Sequence, residues 1–463
     1  MTPDPAPQAP GGVGDRRVFV AMVALIFAGG LAGGIGAPLV SALARAEGVP
    51  LAVAQWSVTG NVLVAAIAAP LIGRLGTGRR QRPVLVTAMG LAALGTVLSA
   101  LPLGIAGVLT GRSLQGLAVA AQPLALAVGR AALAPEKQRS GTALLSASIV
   151  AAAGLGFPVA GLLGEHLGVR GAFAFGAVLV VGAFLLSLVL TPSGEGGGVA
   201  RLDVVGAGLL AVATLALLVA IGQARTWSYA SAPVLALLVL GTAVAVVAVV
   251  WLRRVEDPLV DLSLARHPVV LAAHLASLFC GTGMYMLLML CLVIGQADPL
   301  TDHGLGLGVA AAGFLLLPYS VFSVTSSRLG LVVGRVLGAR AVLPTGCGIF
   351  ALSLVWLAVA HHEPWQLFVA MTLGGLGSGL SFTSIPWLVT EVVPASENAS
   401  VLSLNIVLRF VGFAVGSVAS LAVIEAVGGH AVTHAGFVAA CAVAASSCAL
   451  AAAISGVLMR RQR

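Results

Sequence analysis

Few residues of this 463-residue chain could do chemistry, and they sit in unusual company. Arg112 stands inside the apolar run LTGRSLQGLAVAAQ (residues 109–122), with Gln115 three residues and Gly116 four residues further on. At helical spacing these three share one face, so a guanidinium and an amide point the same way beside a glycine that admits a second helix. A charge in such a run costs about 2.5–3.5 kcal/mol on insertion scales, so it faces a protein or water interior. It marks a binding cavity or a structural link satisfied by backbone carbonyls. Asn61, Gln122, Met284, Tyr285, Met289, Phe382, Trp387 and Asn405 also lie in apolar runs and are the candidate lining of a cavity around Arg112. Amides mixed with flat and flexible apolar groups suit varied amphipathic ligands.

Bond-making chemistry finds no support. The only lysine, Lys137, follows Glu136, so no phosphate loop of the form G-x-x-x-x-G-K-[ST] exists. Ser378 in GLGSGL has Leu376 where a nucleophile elbow needs glycine. No enzyme, cofactor or nucleotide is expected. No acid falls mid-span, Glu391 and Glu425 coming nearest, each at a helix end. His274, mid-run and titrating near neutral pH, is the best candidate to carry a proton, and Glu425 the next. These two are the candidate proton carriers. His303, His361, His362, His430 and His434 lack paired metal spacing and read as solvated loop residues, so no metal is expected. Cys280, Cys291, Cys347, Cys441 and Cys448 are scattered in or near apolar runs and read as small packing residues.

The elements that must hold these groups are membrane spans. Hydrophobic residues make up 59% and charged residues 9%, which places the chain among membrane proteins and turns its +8 charge away from nucleic acid. About fourteen apolar windows long enough to cross a bilayer recur: 18–40, 54–72, 84–103, 107–128, 142–163, 171–190, 204–223, 233–252, 269–294, 307–326, 341–360, 367–389, 401–426 and 435–458. A Gly/Pro/Ser-rich linker, TPSGEGGGVARLD, follows the sixth, and RRVEDPLVDLSLARHP reads as a short interfacial helix before the ninth. The polar start of the chain reads as a disordered cytoplasmic tail with no cleaved leader, so the first span is expected to remain as an anchor.

Threading the chain with both termini cytoplasmic puts nineteen of the 24 Lys and Arg residues on inner loops. Only Arg45, Arg170 and Arg225 fall on outer ones, with Arg112 and Arg409 inside helices. That asymmetry is what the positive-inside rule requires of a multi-pass protein of the cytoplasmic membrane.

An internal repeat completes the plan. LQGLAVAAQP (114–123) echoes LGGLGSGLSFTSIP (373–386), and APEKQRSGTALLS (134–146) echoes VPASENASVLSLN (393–405), both about 260 residues apart. The pattern L-x-x-R-x-x-Q-G at 109–116 resembles that of the fourth helix of the major facilitator superfamily. GRLGTGRRQRPVL (73–85) resembles the family's cytoplasmic signature, and GLGFPVAGLLG (154–164) its exporter motif of a Gly/Pro-bent fifth helix. ARHPVVLAAHLASL (265–278) and LNIVLRFVGFAVG (404–416) resemble the drug-exporter pattern around helices nine and thirteen.

The resemblance implies an all-α membrane fold of two six-helix bundles related by a parallel repeat. They would span 18–190 and 258–463, with a linker and two extra helices at 191–257 between them. It assigns Gly73, Gly111, Gly116, Gly156, Pro158 and Gly161 to gating and helix packing. It also implies a monomeric secondary transporter of the fourteen-helix drug:proton antiporter branch, whose partners are a small molecule, the lipid bilayer and the proton as candidate coupling ion. Efflux of drugs, antibiotics or secondary metabolites is the function expected. Uptake or exchange of an anionic metabolite, with Arg112 as its counter-charge, and a non-transporting sensor or scaffold are the alternatives. Two departures stand out: the family's acidic positions on the first helix and in the signature loop fall at Gly29 and Thr77.

Overall fold

The computed structural model describes residues 13–193, 203–228, 230–255, 262–297, 304–307, 309–394, 397–428 and 433–460. Nearly all are helical, and no strand occurs among them. The first half holds α1 (Val13–Ile35), α2 (Val40–Glu47), α3 (Leu51–Leu75), α4 (Gln81–Ala100), α5 (Gly104–Ala120), α6 (Gln122–Ala131) and α7 (Pro135–Leu190). Next come the pair α8 (Val204–Trp227) and α9 (Ala232–Leu252) and the single turn α10 (Leu262–Ala265). The second half holds α11 (Pro268–Gln296), α12 (Val309–Phe314), α13 (Leu317–Val336), α14 (Val342–Val359), α15 (Pro364–Val392), α16 (Asn398–Gly428) and α17 (His434–Arg460).

Among the described residues eleven helices are long and apolar enough to cross a membrane, so the expected fourteen spans match only roughly. The difference has local causes. Two expected spans run together in the 56-residue α7, broken at Gly168, whose φ of +68° and ψ of 178° only glycine adopts without strain. The expected span 107–128 is split between α5 and α6, where Pro123 at the second position of α6 supplies no backbone N–H. The span at 307–326 is divided between α12 and α13, and α13 also carries Arg328 and Arg335. α1 begins at Val13, inside the stretch expected to be a tail. Most of the Gly/Pro/Ser linker, and residues 256–261 of the expected interfacial helix, lie outside the described residues; of that helix, α10 is the described helical turn.

The two halves are separate packing groups. α1, α3, α4, α5, α6 and α7 pack on one another, and so do α11 and α13–α17. They meet along α3 against α16, and along α7 against α13 and α15. α8 lies across the first of these seams, touching both α3 and α16. Asp203 caps α8, its Oδ1 accepting from Gly206 N at 2.7 Å and from Trp251 Nε1 at 3.0 Å, which pins α9 to its partner. Val178, Val189 and Val239 are about seven-tenths exposed on the outside, a face fit for hydrocarbon.

Small residues set how closely helices pack inside each half. A Cβ on Gly111 would lie 2.4 Å from the Gly95 carbonyl oxygen, and one on Gly116 2.3 Å from that of Asn61. Gly375, Gly412 and Gly416 face backbone in the same way in the second half. In lipid, where burial against hydrocarbon gains little, such close backbone packing is what holds helices together.

Candidate functional site: the cavity between the halves

A cavity of about 250 Å³ opens between the two halves. α1 contributes Gly30, Gly33, Gly34 and Ala37 just beyond its end, and α3 contributes Gln55, Val58, Thr59, Asn61 and Val62. Val119 of α5, Gln122 of α6, and Ile149 and Phe157 of α7 complete that side. The second half supplies Met284 and Tyr285 of α11, Phe382 of α15, and Ile406, Arg409, Phe410, Phe413, Ala414 and Ser417 of α16. Leu218 and Gly222 bring α8 into the wall. Aromatic rings line one side: Tyr285 and Phe413 have centroids 6.0 Å apart, and Phe410 meets Phe413 edge-on at 5.8 Å. An amphipathic molecule would find flat apolar surface there and a few polar groups opposite.

The cavity is lopsided. Its lining takes in the last part of α1, the first part of α3 and the later half of α8, together with the middle of α16 and mid-depth residues such as Val119, Gln122 and Phe382. The contributing ends of α1, α3 and α8 lie away from the loops that carry Arg79, Arg80, Arg82, Arg130 and Arg340. At the arginine-rich end the halves are latched together. Arg74 Nη1, on the last turn of α3, donates to Glu397 Oε1 at 3.0 Å and Oε2 at 3.3 Å, just before α16. The Arg74 side chain is 8% exposed and that of Glu397 25%, so the pair is poorly screened by solvent. Leu124 packs so closely under Gly76 that a Cβ there would sit 2.4 Å from it. Thr77, where the resembling loop signature has an acid, turns back to bond the Arg74 carbonyl at 3.2 Å. The ion pair across the halves is thus made by Arg74, three residues before Thr77.

Of the expected cavity residues, Asn61, Gln122, Tyr285, Met284 and Phe382 line the wall. Arg112, Gln115 and Asn405 do not. Arg112 is 1% exposed behind α1, where its Nη1 donates to the Ala32 carbonyl at 2.9 Å and to the Gln115 side chain. Its Nη2 donates to the Gly33 carbonyl at 3.0 Å, and Phe173 covers the guanidinium at 5.6 Å. A Cβ on Gly36 would fall on that guanidinium. Arg112 is a stitch between α5 and α1 rather than a group facing a ligand. Asn61 Nδ2 donates to the Arg112 carbonyl at 3.0 Å and ties α3 into the same knot. Asn405 donates to the Ala273 carbonyl at 3.0 Å and accepts from Ser277 at 2.8 Å, a seam between α16 and α11.

His274 belongs to that seam, buried with Nδ1 3.4 Å from the Asn405 amide, and Glu425 is half-buried on the last turn of α16. Neither lines the cavity. Among the expected packing positions, Gly73 and Pro158 are buried, and a Cβ on Gly156 would meet Gly34 Cα at 2.7 Å. Gly161 meets nothing within 4 Å, so no close helix approach depends on it. His361 corrects another expectation: it is fully buried, its Nδ1 at 3.0 Å from the Leu357 carbonyl. The ring nitrogens of His361, His362 and His434 gather within 4.8 Å of one another. Their rings pack together, His362 lying parallel to His434 at 6.4 Å, and His361 also packs on Phe437. These three could turn toward one ion, whereas His303 and His430 lie outside the described residues.

Two features escaped the residue-by-residue reading. Arg409 registers in sequence only as an arginine inside a helix, although the argument that singles out Arg112 applies to it equally. The Arg74–Glu397 pair joins residues 323 apart, and no local pattern announces it.

The Major Facilitator Superfamily sequence profile matches residues 21–335. The chain belongs to that superfamily. Members of this family are transporters and not enzymes, so the protein is a multi-pass membrane transporter with a small-molecule substrate. The "Multidrug resistance protein Stp" of Mycobacterium tuberculosis is 28% identical over 382 residues, 80% of this chain and 67% of the relative. The "Triacylglyceride transporter" of Mycobacteroides abscessus is also 28% identical, over 391 residues, 78% of this chain and 72% of that one. The crystal structure of the human organic anion transporter MFSD10 (TETRAN) superposes with a TM-score of 0.63 at 18% identity, covering 95% of this chain and 99% of the other. At that identity the likeness shows the fold alone. A POT-family peptide transporter superposes equally well, at 14% identity and 98% coverage of each chain.

Proposed function

We propose that this transporter exports small amphipathic compounds across the cytoplasmic membrane by alternating access, with both termini on the cytoplasmic side. The observation that carries the reading is the cavity between the halves: apolar and aromatic, reached by the ends of α1, α3 and α8 that lie away from the arginine-rich loops, with the Arg74–Glu397 latch at the other end. With the arginine-rich loops inside, as charge asymmetry favours, this is the outward-facing state from which an exporter releases its load. The relative named for multidrug resistance supports the direction, and the wall of rings and amides supports a broad amphipathic substrate class.

The test is accumulation of a panel of fluorescent drugs in a host lacking its own exporters, with and without expression. Lower accumulation together with resistance is expected. Higher accumulation would establish uptake, and no change for any compound would leave a non-transporting role.

The latch makes a prediction of its own. A hydrogen-bonded charge pair of this kind contributes about 1.5–3 kcal/mol, a roughly ten- to hundred-fold shift between two states. Glu397→Arg is therefore expected to lower export at least tenfold by favouring the other state, and Arg74→Glu likewise. The double swap Arg74→Glu/Glu397→Arg restores the pair and should recover much of the rate. Initial efflux rates of the four proteins at matched expression check this, and a double swap no better than either single change would rule the latch out.

A further inference from the structure

We infer that Arg409 receives the anionic group of the substrate, so that the compounds exported are amphipathic anions; this rests on the exporter reading and narrows it. Two arginines stand well inside apolar helices, Arg112 fully buried and Arg409 half-buried, and they are held very differently. Arg112 has three acceptors around its guanidinium and no place in the cavity wall. Arg409 faces the cavity from the middle of α16, packed over the Phe382 ring at 4.8 Å. The Nε of both arginines lacks a partner, but Arg409 also has none of the carbonyl and amide acceptors that hold the Nη atoms of Arg112. Phe382 offers only a ring face, and none of the described residues lining the cavity is an aspartate or glutamate.

A guanidinium taken out of water without a counter-charge is among the least favourable arrangements in a protein interior. It is tolerated in a transport cavity when the ligand supplies what is missing. Packing against Phe382 covers one side of the guanidinium with a ring that offers no counter-charge. A planar guanidinium of this kind pairs with a carboxylate, sulfonate or phosphate through two parallel hydrogen bonds. Met284, Ile406, Phe410 and Phe413 surround it with apolar surface, which suits an anion carrying an apolar body. The same charge would repel cationic amphipaths.

The assignment also bears on the driving force. His274 and Glu425 lie off the cavity, and no acid lines it among the described residues. An anion needs no proton exchange to leave: the inside-negative membrane potential already drives it outward.

The test uses the full-length protein in proteoliposomes with fluorescein and rhodamine 123, which share a ring system and carry opposite charge. A potassium–valinomycin potential is imposed without a pH gradient. Measured against protein-free liposomes under the same potential, fluorescein is expected to move faster toward the positive side and rhodamine 123 to move no faster. Arg409→Gln should cut fluorescein transport at least tenfold, and Arg409→Lys should retain part of it. Arg409→Gln removes a half-buried charge with no ion-pair partner among the described residues, so its melting temperature should equal or exceed that of the parent protein. Fluorescein should raise the melting temperature of the parent and not of Arg409→Gln. Equal transport of both dyes, or fluorescein transport unchanged in Arg409→Gln, overturns the anion assignment and leaves the exporter reading standing. A protein that moves neither dye while exporting cationic drugs from the cell panel overturns it as well. Failure to move either dye or any panel compound brings down the exporter reading itself.

Discussion

Gly116→Leu is expected to leave almost no correctly folded protein in the membrane. The reason is backbone proximity rather than lost flexibility. A Cβ at this position would lie 2.3 Å from the Asn61 carbonyl oxygen and 3.0 Å from the Ala65 N, both backbone atoms of α3. Neither can rotate aside, so α3 and α5 must part. Parting them breaks the Asn61 bond to the Arg112 carbonyl and disturbs the stitch to α1 beyond it. Overpacking by a single carbon costs about 1–3 kcal/mol where neighbours can yield, and an isobutyl group against main chain costs more. Gly116→Ala should therefore fold with a lowered melting temperature. Gly161→Leu, at a glycine with open space around it, should behave like the parent protein. Elution profile and melting temperature in detergent check all three. A Gly116→Leu protein that elutes and melts normally would show that this helix crossing is looser than described.

Arg112→Ala is expected to lower both stability and transport, the second as a consequence of the first. The substitution removes the donor shared by the Ala32 and Gly33 carbonyls and the Gln115 amide, and empties the space under Gly36. Losing charge-assisted bonds and leaving a void in a buried site together cost about 2–5 kcal/mol. Arg112→Lys should recover little, because an ammonium cannot place two parallel donors on neighbouring carbonyls of one helix turn. The contrast with Arg409 is the informative part. Neutralising Arg112 should lower the melting temperature, whereas neutralising Arg409 should not. A stable Arg112→Ala protein with no transport would return Arg112 to the substrate path.

The fold was legible because its signals are long. Apolar windows, arginine asymmetry and a repeat at about 260 residues each sum over tens of residues, so local errors average out. Boundaries were less legible where backbone decides them, as at Gly168 inside α7 and at the α5–α6 break before Pro123. The site was half legible. Asn61, Gln122, Tyr285 and Phe382 line the cavity because polar and aromatic groups in apolar helices gather away from lipid. Arg112 looked like the centre of that cavity. Yet side-chain type alone cannot tell a guanidinium aimed at a ligand from one aimed at carbonyls of the next helix. Phe410 and Phe413, ordinary residues in an apolar run, are cavity-facing only because of the rotation of α16. The latch between Arg74 and Glu397 depends on how two halves meet, which no stretch of sequence contains.

The most direct measurement of the central claim, that the cavity between the halves carries the substrate and opens outward when latched, is labelling at Ser417. That residue lines the cavity on the later half of α16, and the five native cysteines are buried. In intact cells, Ser417→Cys should react with a membrane-impermeant maleimide added outside. A transported compound should slow the reaction, and adding Glu397→Arg should reduce it by favouring the opposite opening. Reaction confined to inside-out vesicles, or reaction that no transported compound slows, would contradict the account.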